Sequence, residues 1–192
     1  MMVLTIYMLS AFLLLVAAFV VFRIFVRGDY RRKGRLTLFS ALLEWVIFSL
    51  WGTFTWLDLP PDWPPSYVCP VLKTIGWILV VVGAVGLFST IATFGFRRAH
   101  GLDVNLLKQS GLYRLTRNPQ ILVCSLVVIG YAMLWPSWHT LGWVVLFAVI
   151  AHMMVLTEEE HLRTVYGEEY VRYCERVPRY LGFRGKSKKD AA

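Results

Sequence analysis

Five apolar blocks limit what this chain can become: Val3–Phe22, Thr37–Leu57, Val71–Thr93, Pro119–Trp135 and Trp138–Leu156. An α-helix needs about 20 apolar residues to cross the hydrocarbon of a bilayer. Backbone groups in lipid must be satisfied within their own segment, so blocks of this kind are helices. The first three are comfortably long enough. The fourth and fifth are at the short end and are joined only by Pro136-Ser137, which predicts a tight helical hairpin with Trp135 and Trp138 at the far interface. Of the 192 residues 57% are hydrophobic and only 17% charged, where a soluble domain carries about a quarter charged residues. The reading is an all-α integral membrane protein with five transmembrane helices. Val3–Phe22 has no basic run before it and no small-residue cleavage site after it. It also exceeds the roughly 7–15 apolar residues of a signal peptide, so it reads as a retained helix.

The loops set the orientation. Arg23, Arg27, Arg31, Arg32, Lys33 and Arg35 follow the first block, and Arg97, Arg98, Lys108, Arg114 and Arg117 follow the third. The stretch between the second and third has Asp58, Asp62 and a proline-rich run, Pro60–Pro65, that reads as a stiff external cap. The positive-inside rule then places the N-terminus outside, and the loops 23–36 and 94–118 and the C-terminus inside. The net charge of +8 reflects these loops and not nucleic-acid binding. Residues 1–93 hold three helices, residues 94–181 a polar functional region built around the hairpin 119–156, and residues 182–192 a flexible basic tail. Cys69, Cys124 and Cys174 are far apart, which excludes a disulfide framework and a zinc site. No two His have metal-ligand spacing, and no metal is expected.

Two polar regions fall on the cytosolic side, flanking the hairpin. The first is Gly111-Leu-Tyr113-Arg114-Leu-Thr-Arg117-Asn118-Pro119-Gln120. Asn before Pro predicts that Asn118 caps the fourth helix. A helix N-terminus beside a basic loop can hold an anion, Tyr113 can stack on a ring, and the arginines can equally anchor lipid headgroups. The second is Glu158-Glu159-Glu160 and the helix-like run that follows, broken at Gly167. Neighbouring residues on a helix point about 100° apart. One of these acids would meet Arg114 or Arg117, and another a cationic ligand. Glu44, two turns into the second block, is either functional or at the interface. His152 shares a face with Glu159 and reads first as a hydrogen-bonded residue.

These two segments resemble the marks of the isoprenylcysteine carboxyl methyltransferase family and its relatives, the phospholipid methyltransferases. The first runs Gly111-Leu-Tyr113 to Arg117-Asn118-Pro119-Gln120-Ile121. The second runs Glu158-Glu159-Glu-His-Leu162 through Tyr166-Gly167 to Tyr170 and Tyr173, followed by Arg176-Val-Pro-Arg179. The resemblance covers about residues 94–181 and is closest to small prokaryotic or archaeal members. It implies an S-adenosylmethionine-dependent methyltransferase with its site on the cytosolic face and a lipidic acceptor taken from the bilayer. The membrane would be the plasma membrane in a prokaryote and the endoplasmic reticulum in a eukaryote. It further implies that a cytosolic C-terminal helical segment completes the cofactor pocket. Tyr113, Asn118, Pro119, Gln120, Ile121, Glu158 and Glu159 would contact the cofactor, with Asn105, Leu106, Leu107 and Lys108 as a further wall. Glu158 and Arg117 would carry catalysis.

Two departures bear on the acceptor. The family's usual His is Asn118 here, and its following aromatic is Ile121. Met154 stands where some members carry an Arg that places a substrate carboxylate. A carboxylate acceptor is already ionised and needs positioning more than a base. With no base evident in the sequence, the implied reaction is carboxyl O-methylation of a prenylated cysteine. The alternatives are phospholipid N-methylation, an NADPH-dependent sterol-type reductase, or a non-enzymatic lipid-binding protein.

Overall fold

The computed structural model describes residues 2–54, 68–94 and 109–181. Over these residues the chain is helical: α1 Met2–Val20, a π-helical stretch Val21–Val26, α2 Arg27–Lys33, α3 Leu38–Thr53, α4 Pro70–Phe94, a 3-10 turn Gly111–Arg114, α5 Pro119–Leu134 and α6 Trp138–Arg176. No strand occurs among the described residues. The proline-rich cap, Asn105–Lys108 and the basic tail lie outside them.

The five apolar blocks become five helices with two differences in extent. The segment after the first block, expected as a loop, is helical to Lys33 and stops at Gly34, whose φ of 64° only glycine adopts without cost. The fifth block continues for 39 residues to Arg176, far beyond the length that crosses hydrocarbon, so its polar half projects past Leu156. Three helices are long and apolar enough to cross a membrane: Leu4–Lys33, Pro70–Thr90 and Trp138–Arg176. Leu38–Thr53 and Pro119–Leu134 have 16 residues each, at the lower edge of a span.

The stops and starts are locally encoded. Thr37 caps α3 by accepting from the Ser40 N–H, and Ser137 caps α6 by accepting from the Thr140 N–H at 3.1 Å. Arg176 ends α6 because Val177 precedes Pro178 and takes an extended conformation, φ −124° and ψ 127°.

α1, α3 and α6 pack as one bundle. At one end of it Tyr7 donates to the His139 carbonyl at 2.9 Å and sits edge-on to Phe54 at 5.5 Å. Trp51 and Trp143 stack at 4.4 Å, and each indole donates to the other's carbonyl, at 3.0 and 3.1 Å. At the other end Asp29 accepts from Thr37 and Ser40 at the start of α3. These pairings make α1 and α6 parallel and α3 antiparallel to both. The outward residues of α3 and α4, among them Leu38, Trp45, Val81 and Phe88, are exposed large hydrophobics, a surface that suits lipid and not water.

The hairpin connection is short, as expected, but α5 packs chiefly on α4 and only lightly on α6. Glycines make that contact close, as Gly83-Ala-Val-Gly86 predicts. A Cβ on Gly130 would fall 2.6 Å from the Gly76 carbonyl oxygen, and one on Gly83 2.7 Å from that of Val123. Gly130→Ala is therefore expected to destabilise the fold by about 1–3 kcal/mol through overpacking. Thermal unfolding in detergent checks this, with Gly28→Ala, which meets open space, as the control. Of the two hairpin tryptophans, Trp138 is fully presented outward at 85% exposure, while Trp135 is buried.

Candidate functional site

The two polar segments meet at the end of the bundle where Asp29 holds the start of α3. Past Pro178 the chain turns back beneath the 3-10 turn. The Arg117 N–H donates to the Pro178 carbonyl at 2.9 Å, and the Thr116 hydroxyl and the Asn118 Nδ2 donate to the Arg179 carbonyl at 3.1 and 3.0 Å. The Tyr173 hydroxyl donates to the Tyr113 carbonyl at 2.7 Å. Asn118 thus differs from its expected part. It occupies the position before α5, but its side chain makes no cap hydrogen bond and holds the C-terminal segment instead. Pro119 opens α5 and is buried.

Glu159 is the fastening point. It is buried, with 5% of its side chain exposed. Arg179 grips it with two hydrogen bonds, Nε to Oε1 at 3.0 Å and Nη2 to Oε2 at 2.8 Å. Arg117 Nη1 lies 2.9 Å from Oε1 on the other side and also donates to Cys174 Sγ at 2.8 Å. The expected meeting of one acid with Arg117 is therefore present, at Glu159. Two guanidinium groups on one carboxylate balance its buried charge and its lone pairs.

The neighbouring acids, about 100° either way around α6, have different surroundings. Glu160 faces the first helix, where Arg23 Nη1 lies 2.9 Å and Arg27 Nε 2.8 Å from its carboxylate. Glu158 faces inward. Among the described residues it has neither a hydrogen bond nor an ion pair. Burial, and then the adjacent Glu159 charge, push its carboxyl up to about 7. Burial and Glu158 in turn raise the Tyr113 hydroxyl, which puts Tyr113 in the field of Glu158. Gln120 and Ile121 lie half-buried in the first turn of α5, and Ile121 packs against the bundle core. Asn105, Leu106, Leu107 and Lys108 lie outside the described residues. His152 is exposed, with Nδ1 3.0 Å from the Tyr180 hydroxyl. Among the described residues no cluster of His, Cys, Asp or Glu could hold a metal ion.

Four residues were not among the site residues expected from the sequence: Arg179, Arg23, Arg27 and Tyr30. Arg179 had a signal, because Pro178 forces the chain out of the helix just before it. Arg23 and Arg27 read only as topology markers, since their pairing with Glu160 spans 137 positions in sequence for Arg23.

This is a helical membrane protein with a polar site at the mouth of its bundle, closed by segments on either side of a helical hairpin. The phospholipid methyltransferase family model matches residues 71–169, and the chain belongs to that family of membrane methyltransferases. Its members usually use S-adenosylmethionine. No curated protein and no solved structure matches the chain. The matched span runs from α4 to the break at Gly167, where φ is 50°. It includes Arg117, Glu158 and Glu159 and leaves out α1, α3 and Arg179.

Proposed function

We propose that this protein transfers a methyl group from S-adenosylmethionine to an amphiphile held in the bilayer, at a site on the cytosolic face of a five-span bundle. The observation that carries the reading is the division of labour between adjacent acids. Glu159 is consumed in fastening the two segments to each other. Glu158 has no partner among the described residues and acts on Tyr113, which suits a carboxylate that binds a cation.

The residues present fit the cofactor. S-adenosylmethionine supplies an electrophilic methyl on a sulfonium, next to an ammonium and a carboxylate. Glu158 suits its ammonium, Tyr113 its apolar faces, and the N–H groups of Gln120 and Ile121 in the first turn of α5 its anionic end. The segment 105–108 would form the remaining wall. Arg117 is better suited to positioning than to contact, because Glu159 and Cys174 already hold it.

For the acceptor the geometry favours an amine, the head group that the family's name suggests. A carboxylate acceptor, such as a prenylated cysteine, needs a cation to hold it. The cations near the site, the buried Arg117 and the half-buried Arg179, both have their guanidinium groups engaged on the Glu159 carboxylate. An ammonium needs an acid to hold and deprotonate it, and Glu158 and Glu44 are both unpaired among the described residues. A basic cluster for NADPH would need Arg117 as well, which counts against a reductase.

Calorimetry with S-adenosylhomocysteine on the purified protein is the first test, and saturable binding is expected. Absence of binding up to millimolar ligand overturns the reading. Labelled methyl transfer to phosphatidylethanolamine vesicles, set against N-acetyl-farnesylcysteine, then decides the acceptor.

A further inference from the structure

Three helices bring titratable side chains together just inside the site, and two of the three lie outside the span that matches the family. On α3 the inward stripe is Ser40, Ala41 and Ile47, with Trp51 beyond. Glu44 falls on that stripe one turn past Ser40. On α6 the inward stripe is Trp143, Phe147, Ile150 and then Met154, Glu158 and His161. From α2, Tyr30 lies flat on the His161 ring, with centroids 4.0 Å apart and planes 3° apart. Burial, then the charges of Glu158, Glu44 and Asp29, hold the Tyr30 hydroxyl well above its ordinary range, so one field joins all these groups.

The group is incomplete. Glu44 and Glu158 have no partner among the described residues. His161 is only 6% exposed, and its Nε2 has no hydrogen-bond partner among the described residues. Burial lowers the His161 value, so its ring is neutral and keeps an open nitrogen. A buried polar atom left without a partner costs free energy and asks for one. Here an open imidazole nitrogen stands on the same helix face as an unpaired acid, with a second unpaired acid across from them. Together they are complementary to a small hydrogen-bonding cation.

We infer that Glu44 receives the ammonium of the methyl acceptor and takes its proton before transfer. This rests on the amine reading above. Glu44 lies on α3 nearly two turns inward from the cytosolic end, while Glu158 lies past the end of the apolar part of α6. An acceptor arriving from the bilayer meets Glu44 first, and a cofactor arriving from the cytosol meets Glu158. An ammonium has no lone pair to give. Its N–H bond breaks, the proton goes to the Glu44 carboxylate, and a neutral amine and a carboxylic acid remain. The freed lone pair forms the N–C bond as the methyl C–S bond breaks and its electron pair returns to sulfur. The product nitrogen takes up the positive charge that the sulfur loses. Asp29 and Tyr30 from α2, Tyr113 from the 3-10 turn, and Glu158 and His161 from α6 are the groups that shape this titration.

Glu44→Gln in the full-length protein tests the assignment. Affinity for S-adenosylhomocysteine should be unchanged. Binding of dihexanoyl-phosphatidylethanolamine should weaken about tenfold or more, the loss of one charge-assisted hydrogen bond. The rate with phosphatidylethanolamine vesicles should fall about 10²-fold or more, as for a lost general base. At saturating S-adenosylmethionine, where the pH dependence of cofactor binding drops out, the rising limb of its pH profile should flatten, and Glu44→Asp should restore part of it. A Glu44→Gln protein that binds and methylates like wild type overturns the assignment. So does one that loses S-adenosylhomocysteine binding as well, since that marks a structural role. Wild type that binds S-adenosylhomocysteine but methylates only N-acetyl-farnesylcysteine overturns the amine acceptor and Glu44's role with it. Wild type that binds no S-adenosylhomocysteine overturns the methyltransferase reading instead.

Discussion

Glu159→Gln is expected to be the most damaging single change in the polar region, costing about 3–5 kcal/mol of stability and abolishing S-adenosylhomocysteine binding. Its carboxylate is the only counter-charge within ion-pair distance of either Arg117 or Arg179 among the described residues. Removing the charge leaves Arg117, with 11% of its side chain exposed, as an uncompensated cation. Arg179 is 31% exposed and can recover some hydration, which puts the expected loss toward the lower end. The binding loss follows from geometry. Glu159 joins the end of the 3-10 segment to the C-terminal turn, and the Asn118 and Thr116 bonds to the Arg179 carbonyl depend on that turn staying in place. Thermal unfolding in detergent and calorimetry measure the two effects. Arg179→Lys keeps the charge and loses the two-pronged grip, so it should lose binding with a smaller drop in melting temperature. Wild-type binding by Glu159→Gln would show that the segments are held by other means.

Glu158→Gln is expected to act through pH. With its carboxyl pushed up to about 7, only the fraction ionised can hold a ligand ammonium. That fraction is about 0.1 at pH 6 and about 0.9 at pH 8, so wild type should bind S-adenosylhomocysteine about tenfold more tightly at the higher pH. The variant should bind weakly and with no such trend. Stability should move in the opposite direction. A carboxyl raised on folding favours the protonated folded state, so its contribution is complete below the ordinary value of 4.5 and disappears as pH rises to about 7. Wild type should therefore lose melting temperature relative to Glu158→Gln across that interval and hold a constant difference above it. A flat binding profile in wild type would mean that Glu158 does not meet the ligand's cation.

Most of the helical plan was legible because helix formation in lipid is a local requirement. Each apolar block satisfies its own backbone, and Thr37, Ser137, Pro119 and Pro178 mark boundaries by their own conformational limits. Asn118 was misjudged for a related reason. Its place before proline is a local fact, but its side-chain partner, the Arg179 carbonyl, is 61 positions away. The run Glu158-Glu159-Glu160 shows the same limit more sharply. Three identical side chains at consecutive positions differ in everything that matters: Glu159 is bound by two arginines, Glu160 by the first helix, and Glu158 by none of the described residues.

Hydropathy, the spacing of basic loops and the two motif segments were enough to specify a helical membrane methyltransferase, because burial in lipid, helix capping and turn chemistry are read from short stretches of chain. Which acid is held by arginines and which has no partner among the described residues was decided by tertiary contact alone. So was the pairing of α5 with α4, and the approach of Glu44 and Tyr30 to the site. The physical reason is that a charge's role depends on the nearest opposite charge and on its access to water. In this bundle both are set by helices far apart in sequence, α2 and α3 against α6, and by a C-terminal turn that reaches back to the 3-10 segment.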